Sequence, residues 1–391
     1  MNCRIIQIEN LTNAEKELYK IGAEKAGVEI MAPKAVFCVI KLQGIRNVAA
    51  NIIKQNMLSL GGEAATSYGT INHSTPTTDL LIMGTIKQLN SLVQKLAENK
   101  FNLPEIGEEI KAVLANYEKP RIRQTKIMGI LNVTPDSFSD GGKFVSIANA
   151  VKHAEQMIAD GADIIDIGGE STRPGALPVS ADEEKKRVLP IIEKLAGKNI
   201  VISIDTTKAE VAKAALSAGA TMVNDISGLR FDPKMAEVVA QAKADLCIMH
   251  IQGNPRNMQA SPVYNDLMGE VIGYLSEGLA IAKKAGILQE QIIVDPGIGF
   301  GKTPQHNLEI IKRLKELAVL GCPILVGPSR KSVVGQVLGL PIDERLFGTA
   351  ALVAASVLNG AAYVRVHDVK ELKQVVKMCD ALLNVDQREE K

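Results

Sequence analysis

From residue 126 onward the chain repeats one arrangement eight times: a short apolar run, a polar or glycine-rich break, then a longer amphipathic stretch. The short runs are 126–132, 164–168, 200–205, 221–225, 244–250, 292–295, 324–327 and 361–366. Runs this short and this apolar read as strands buried on both faces. The stretches 147–159, 182–195, 209–218, 233–242, 266–285, 305–317 and 345–358 have helical spacing, and 369–383 follows the last strand. Several close with glycine (Gly161, Gly219, Gly286, Gly321, Gly360), the residue that most easily takes the left-handed helix cap. Eight strands alternating with eight helices over about 265 residues predict a (β/α)8 TIM barrel. A doubly wound open sheet is the runner-up. It would normally carry a glycine-rich dinucleotide fingerprint after its first strand, and that pattern is missing.

Residues 1–120 read as a small α/β accessory domain, and 121–391 as the barrel, with the boundary near Lys119-Pro120-Arg121. Strands are expected at 3–8, 35–42, 64–71 and 79–85, and helices at 13–25, 48–60, 87–99 and 105–117. The polar segment Asn72 to Thr78 reads as a surface loop in preference to a binding loop. No activity is legible in this domain; packing, oligomerisation or regulation is the modest expectation.

Composition narrows the function. The 391 residues are 46% hydrophobic and 23% charged, which is globular. A net charge of +1 gives no reason to expect nucleic acid or an anionic membrane as partner. Five cysteines (Cys3, Cys38, Cys247, Cys322, Cys379) are scattered without metal-ligand spacing, as in a reduced cytoplasmic protein. No segment has the apolar length of a membrane span.

Each expected strand ends in something polar: Asn132; Glu170 to Arg173; Asp205 to Lys208; Asn224-Asp225; His250; Asp295; Ser329 to Ser332; Arg365 to Asp368. Any one of these reads most simply as a helix cap or a solvated loop residue. In a barrel all eight converge on one face, the face that carries active sites. Arg173, Arg365 and His367 offer donors suited to phosphate oxygens. Asn132 offers an uncharged hard oxygen suited to Mg²⁺. Asp205, Asn224, Asp295 and Lys331 alternate acceptors and donors, which suits a flat, nitrogen-rich heterocycle. No Ser/His/Asp or Cys/His set stands out, so a protein nucleophile is not expected. His153 and His306 read as helix-surface residues and His250 as a structural strand-end residue.

The segments that carry these residues resemble the dihydropteroate synthase family. They are Gly129 to Gly142 (GILNVTPDSFSDGG), Asp166 to Ala176 (DIGGESTRPGA), Ser203 to Thr206, Asn224 to Gly228, Met249 to Gly253, Asp295 to Lys302 (DPGIGFGK), Gly327 to Ser332 (GPSRKS) and Arg365 to Asp368. The ordered set spans roughly residues 121–385. Pro328 and Thr207 are small departures; the N-terminal domain, which most of the family lacks, is the large one.

The resemblance implies condensation of 6-hydroxymethyl-7,8-dihydropterin diphosphate with 4-aminobenzoate, giving dihydropteroate and diphosphate for folate synthesis. It implies Mg²⁺ on the diphosphate and Asn132. It places Thr172, Arg173, Arg365 and His367 on the diphosphate, and Asp205, Asn224, Asp295 and Lys331 on the pterin, with Ile226, Met249, Phe300 and Gly327 lining the pocket. The loops with Phe138, Ser139 and Asp140 and with Pro174 would complete the aminobenzoate site beside Ser332. Asp205, Lys331, Arg365 and His367 are the expected catalytic residues, in an SN1-like transfer. The resemblance also favours a homodimer through helices late in the barrel. Two alternatives remain at this level. A methyltetrahydrofolate–corrinoid methyltransferase would not need Arg173 or the Ser-Phe-Ser-Asp loop. A non-catalytic pterin-binding protein would be expected to lose Lys331, Arg365 or Asn132.

Overall fold

The computed structural model describes residues 3–72, 74–100, 102–118, 124–133, 143–171 and 177–385; the side chains of 118 and 143–146 are outside that description. The chain divides into two compact units, Met1–Pro120 and Arg121–Lys391.

The first unit contains α1 (Leu11–Lys20), α2 (Lys25–Ala35), β1 (Phe37–Arg46), α3 (Asn47–Ser59), β2 (Glu63–Thr66), α4 (Gly69–Asn72), β3 (Thr77–Thr85), α5 (Ile86–Ala97) and α6 (Leu103–Glu118). Its strands form an antiparallel sheet in the order β1-β3-β2. Ile40, Leu80 and Ile82 from the sheet pack on Ile53, Met57, Leu89, Leu92, Leu96 and Ile110 from the helices. Thr85 and Gln88 cap α5 reciprocally, so β3 passes into the helix without a loop.

Three expectations for this unit need correction. Residues 3–8 form no strand: all three sheet positions are taken by other segments, and Ile5 is 97% exposed. The helix α2 was not expected; burial of Val28 and Ala32, four residues apart on one face, holds it although it contains Pro33. The strand expected at 64–71 ends at Thr66, and the helical turn α4 follows. The hydroxyl of Thr70 bonds that of Thr78 at 2.8 Å, and Ser67 Oγ bonds the same Thr78 oxygen at 2.9 Å, so side-chain hydroxyls replace the ladder there.

The second unit is the expected barrel. Its strands are β4 (Lys126–Asn132), β5 (Ile164–Gly168), β6 (Val201–Asp205), β7 (Met222–Asp225), β8 (Asp245–Met249), β9 (Ile292–Asp295), β10 (Leu325–Val326) and β11 (Tyr363–Val366). All pair in parallel in the order β10-β11-β4-β5-β6-β7-β8-β9, and a parallel bridge between Val294 and Ile324 joins the two ends. The helices α7 (Lys143–Ala159), α8 (Ala181–Leu195), α9 (Ala209–Ser217), α10 (Met235–Ala242), α11 (Leu267–Lys284), α12 (Pro304–Lys312), α13 (Ser332–Leu338), α14 (Leu346–Leu358) and α15 (Val369–Leu383) accompany them. The helix expected at 305–317 tightens into a 3-10 segment, Leu314–Leu320, and α13 is an extra short helix directly after β10. Gly219 (φ 119°) and Gly321 (φ 65°) take the left-handed caps that the sequence assigned to glycine.

The main core lies between barrel and helices, where Ile127, Ile165, Ile204, Val223, Ile248, Val294 and Val364 point outward. The barrel interior is filled near its N-terminal end by Met128, Ile164, Met222, Cys247, Ile293 and Leu325, with Val201 and Tyr363 against them. Side chains alternate along a strand, so the next inward position is two residues further on. That step changes the chemistry.

Candidate active site

Parallel register builds the site. It aligns Asn132 with Gly168, Gly168 with Asp205, and Asp205 with Asn224, one row across β4 to β7. One step below, Asp166 is level with Ser203. Gly168 leaves room between its neighbours: a Cβ there would lie 3.6 Å from Asp205 Oδ2 and 3.7 Å from Asn132 Oδ1. Two hard oxygens therefore flank one side-chain-free position.

Arg365, from β11, reaches across the interior to this row. Its Nε donates to Asp166 Oδ2 at 2.6 Å and its Nη2 to Asp205 Oδ2 at 2.7 Å. The Asn224 amide donates to the same Asp166 oxygen at 3.0 Å. Burial opposes the charge on Arg365, but Asp166 and Asp205 outweigh it and hold the guanidinium above its usual pKa. Burial raises Asp205 to about 7 against the attraction of Arg365, so its carboxylate titrates near neutrality. Asp225, by contrast, does what a turn residue does: it accepts from the Ser227 and Leu229 amides at 2.8 Å each.

Asp295 ends β9 and accepts from the Gly297 amide at 2.7 Å; burial raises it to about 6. The loop that follows is pressed onto the end of β8. A Cβ at Gly297 would meet His250 O at 2.0 Å, and φ there is +70°, so only glycine fits. Lys302 anchors the loop's far end. It is 3% exposed, donates to Phe300 O at 3.0 Å, and lies 2.8 Å from His250 Nδ1. Burial lowers Lys302 to about 7 and His250 to about 2, so His250 is neutral and Nδ1 accepts. The Lys331 ammonium sits 4.0 Å over the Phe300 ring. Phe300, Ile226 and Met249 form one apolar cluster with Ile251 and Met258, a flat-sided wall beside the polar row.

At the adjoining strand ends, Ser329 Oγ pairs with His367 Nδ1 at 3.0 Å. Burial, with the nearby Arg365 charge, lowers His367 to about 4, so the imidazole is a neutral donor. Arg330 is engaged by Asp368, which accepts from its Nε and Nη2. Gly327 brings its backbone beside the Arg365 side chain, 3.6 Å from where a Cβ would stand. An open cleft of about 270 Å³ adjoins Asp205, lined by residues that include Glu170, Thr206, Ile226, Phe231 and Arg256. Lys208 reaches toward that cleft and joins Glu170 and the wholly buried Glu184, 2.6 Å from the latter.

The structure thus gathers Asn132, Asp205, Asn224, Asp295, Lys331, Arg365 and His367 at one barrel end, with Ile226, Met249, Phe300 and Gly327 around them; Ser332 opens α13 next to Lys331. Thr172, Arg173, Pro174, Phe138, Ser139 and Asp140 lie outside the described residues. Sequence reasoning missed Asp166 and Lys302 as members of the site. Each had a signal: a single charge inside Ile-Ile-Asp-Ile, and a lysine that closes a glycine-rich loop.

Asn132 fits the magnesium expectation in its chemistry. It supplies one neutral hard oxygen near the Asp205 carboxylate, which suits an ion that keeps several waters and draws most of its charge from a substrate's phosphates.

Fold and site define a barrel enzyme with a polar cluster at its strand ends, and residues 128–367 match the family described as pterin binding enzyme. A dihydropteroate synthase from Synechocystis is 53% identical over 262 residues, 66% of this chain and 91% of that protein. A dihydropteroate synthase from Clostridium difficile, solved in the presence of pteroic acid, superimposes with a TM-score of 0.64 at 48% identity, covering 67% of this chain and 98% of that one. The chain belongs to the dihydropteroate synthase family. A probable bifunctional folylpolyglutamate synthase/dihydropteroate synthase from Halobacterium salinarum is 41% identical over 381 residues. That match takes in 96% of this chain, both units included, and this chain spans about half (46%) of that longer protein.

Proposed function

We propose that this member of the family joins 6-hydroxymethyl-7,8-dihydropterin diphosphate to 4-aminobenzoate by an SN1-like transfer that depends on Mg²⁺. The observation that carries the reading is Arg365, held between Asp166 and Asp205 at the mouth of the pterin-type pocket. Asp205, Asn224, Asp295 and Lys331 pair with the amide and amino edges of the heterocycle, and Met249, Ile226 and Phe300 sandwich its faces. Arg365 and neutral His367, with Thr172 and Arg173, donate to the diphosphate. Asn132 would hold Mg²⁺, which supplies charge neutralisation on the leaving group when bound.

The carbon–oxygen bond breaks and its electron pair leaves with the diphosphate, where the Arg365 and His367 donors receive the growing charge. The exocyclic carbon is left cationic, with its charge spread into the pterin ring. Ionised Asp205 faces that charge. The arylamine nitrogen then forms the new bond and gives up a proton to solvent. A loop carrying Phe138, Ser139, Asp140 and a second carrying Pro174 would keep water from the cation, with Ser332 near the aminobenzoate. The enzyme is read as a homodimer, and the unit Met1–Pro120 as an accessory.

The test is product formation from the dihydropterin diphosphate with and without Mg²⁺ and 4-aminobenzoate, by the whole chain and by a barrel starting near Arg121. Dihydropteroate from both establishes the synthase and the accessory role. Product from the whole chain alone makes the first unit part of the working enzyme. Positional isotope exchange in the diphosphate before the amine is added supports the stepwise route; its absence under turnover conditions, with rate second order in the two substrates, sinks it.

A further inference from the structure

We propose that Asp166 is a positioning residue: it grips Arg365 at Nε and so makes the pivot about which the Nη2 edge turns from Asp205 to the departing diphosphate. The proposal rests on the reading of Arg365 as a diphosphate contact.

β5 is buried along its whole length, and Asp166 is its one charged residue, with no exposed surface. Its Oδ2 accepts from two groups on opposite sides, Arg365 Nε at 2.6 Å from β11 and Asn224 Nδ2 at 3.0 Å from β7. Its Oδ1 is also buried and has no hydrogen-bond partner among the described residues; nor has Ser203 Oγ, level with it on β6. Asp166 therefore meets both site residues through one oxygen.

The guanidinium is planar, with donors on separate edges. Asp166 holds the inner edge from a strand in the barrel wall. Asp205 holds the outer edge at 2.7 Å and stands at the strand end, beside Asn132 across Gly168. Before substrate arrives, the outer edge neutralises Asp205. Once phosphate oxygens draw that edge away, Asp205 is left facing the pterin, where a cation forms. One arginine thus serves the leaving group and frees the carboxylate in the same movement, provided that its inner edge does not move.

The test uses the full chain. Asp166→Asn keeps an acceptor and removes the charge. Its expected effect is a fall in kcat of about 30- to 100-fold, with KM for 4-aminobenzoate within about twofold of the unaltered enzyme. In an Arg365→Met background the same substitution should lower kcat by less than about threefold, because its effect runs through the arginine. Equal losses in both backgrounds overturn the proposal. A second measurement needs no stable Asp166 variant. In the side-chain ¹⁵N spectrum of the unaltered enzyme, with the resonance assigned through Arg365→Lys, the Arg365 Nε–H should stay protected from exchange when Mg²⁺ and inorganic diphosphate are added with pteroic acid, while its Nη signals shift. Loss of Nε–H protection overturns the proposal. Absence of aminobenzoate-dependent product from the unaltered enzyme would remove the underlying reading of Arg365 instead, so the two failures are distinguishable.

Discussion

Two layers of the same barrel interior lie one inward step apart and share almost no chemistry. The lower holds Met128, Ile164, Met222, Cys247, Ile293 and Leu325, all fully or nearly fully buried. The upper holds Asp166, Ser203, Asn224 and Asp295, buried to nearly the same degree but polar, and the partly buried Arg365. On β5, β7, β9 and β11 the change occurs within two residues: Ile164 to Asp166, Met222 to Asn224, Ile293 to Asp295, Tyr363 to Arg365. The comparison separates two uses of burial. In the lower layer it stabilises by removing apolar surface from water, about 25 cal/mol per Å². In the upper layer it costs stability, but it strengthens every electrostatic contact made there.

The largest break in that contrast comes from Arg365→Met. It leaves Asp166 and Asp205 buried without their shared cation, and stability should fall by about 3–5 kcal/mol in urea denaturation. Dihydropteroate formation by the folded fraction should fall by at least about 10²-fold. A variant of unaltered stability would mean that the upper layer is solvated and not a buried ion network.

A lower-layer truncation sharpens the comparison from the other side. Leu325→Ala should cost about 3 kcal/mol through the lost apolar contact and the cavity left behind, yet the kcat of the protein that remains folded should stay within about twofold. A matching loss of kcat would show that the apolar layer also sets the geometry of the row above it.

The pH dependence of stability is the next effect in size. Burial holds Asp295 at about 6, against 3.8 for an unperturbed aspartate. Between those values the unfolded chain loses this proton and the folded chain keeps it, so stability falls as pH rises. Below the lower value and above the upper one this group contributes no further change. Relative to Asp295→Asn, the unaltered protein should lose about 2–3 kcal/mol between pH 4 and pH 6. A difference between the two proteins that is flat across this range would show that Asp295 is ionised throughout.

His367 should give the smallest effect. Burial with the nearby Arg365 holds it at about 4, so it acts as a neutral donor. His367→Gln, which keeps a neutral donor, should lower kcat by no more than about fivefold, the worth of one such hydrogen bond. The unaltered enzyme should show no rate inflection that this substitution abolishes between pH 5 and 8. Finding one near 6.5 would mean that the imidazole is charged at work.

The barrel was legible along the chain, because eight apolar runs with helices between them leave few ways to bury both faces of every strand. So was the face that carries the site, since polar residues at strand ends must share one end of a parallel barrel. The first unit was less legible: the expected strand at 3–8 and the unexpected helix at 25–35 both depended on which segments won places in a three-stranded sheet and its core. How the polar residues act on one another depends on the folded barrel. Asp166 and Arg365 are 199 positions apart, and Asp205 and Arg365 are 160 apart. No local pattern records that one guanidinium bridges both. Lys302 and His250 are likewise joined only when the two loops close. Periodicity is a property of neighbours along the chain and survives in the sequence; pairing between buried charges depends on barrel closure and register, which exist only after folding.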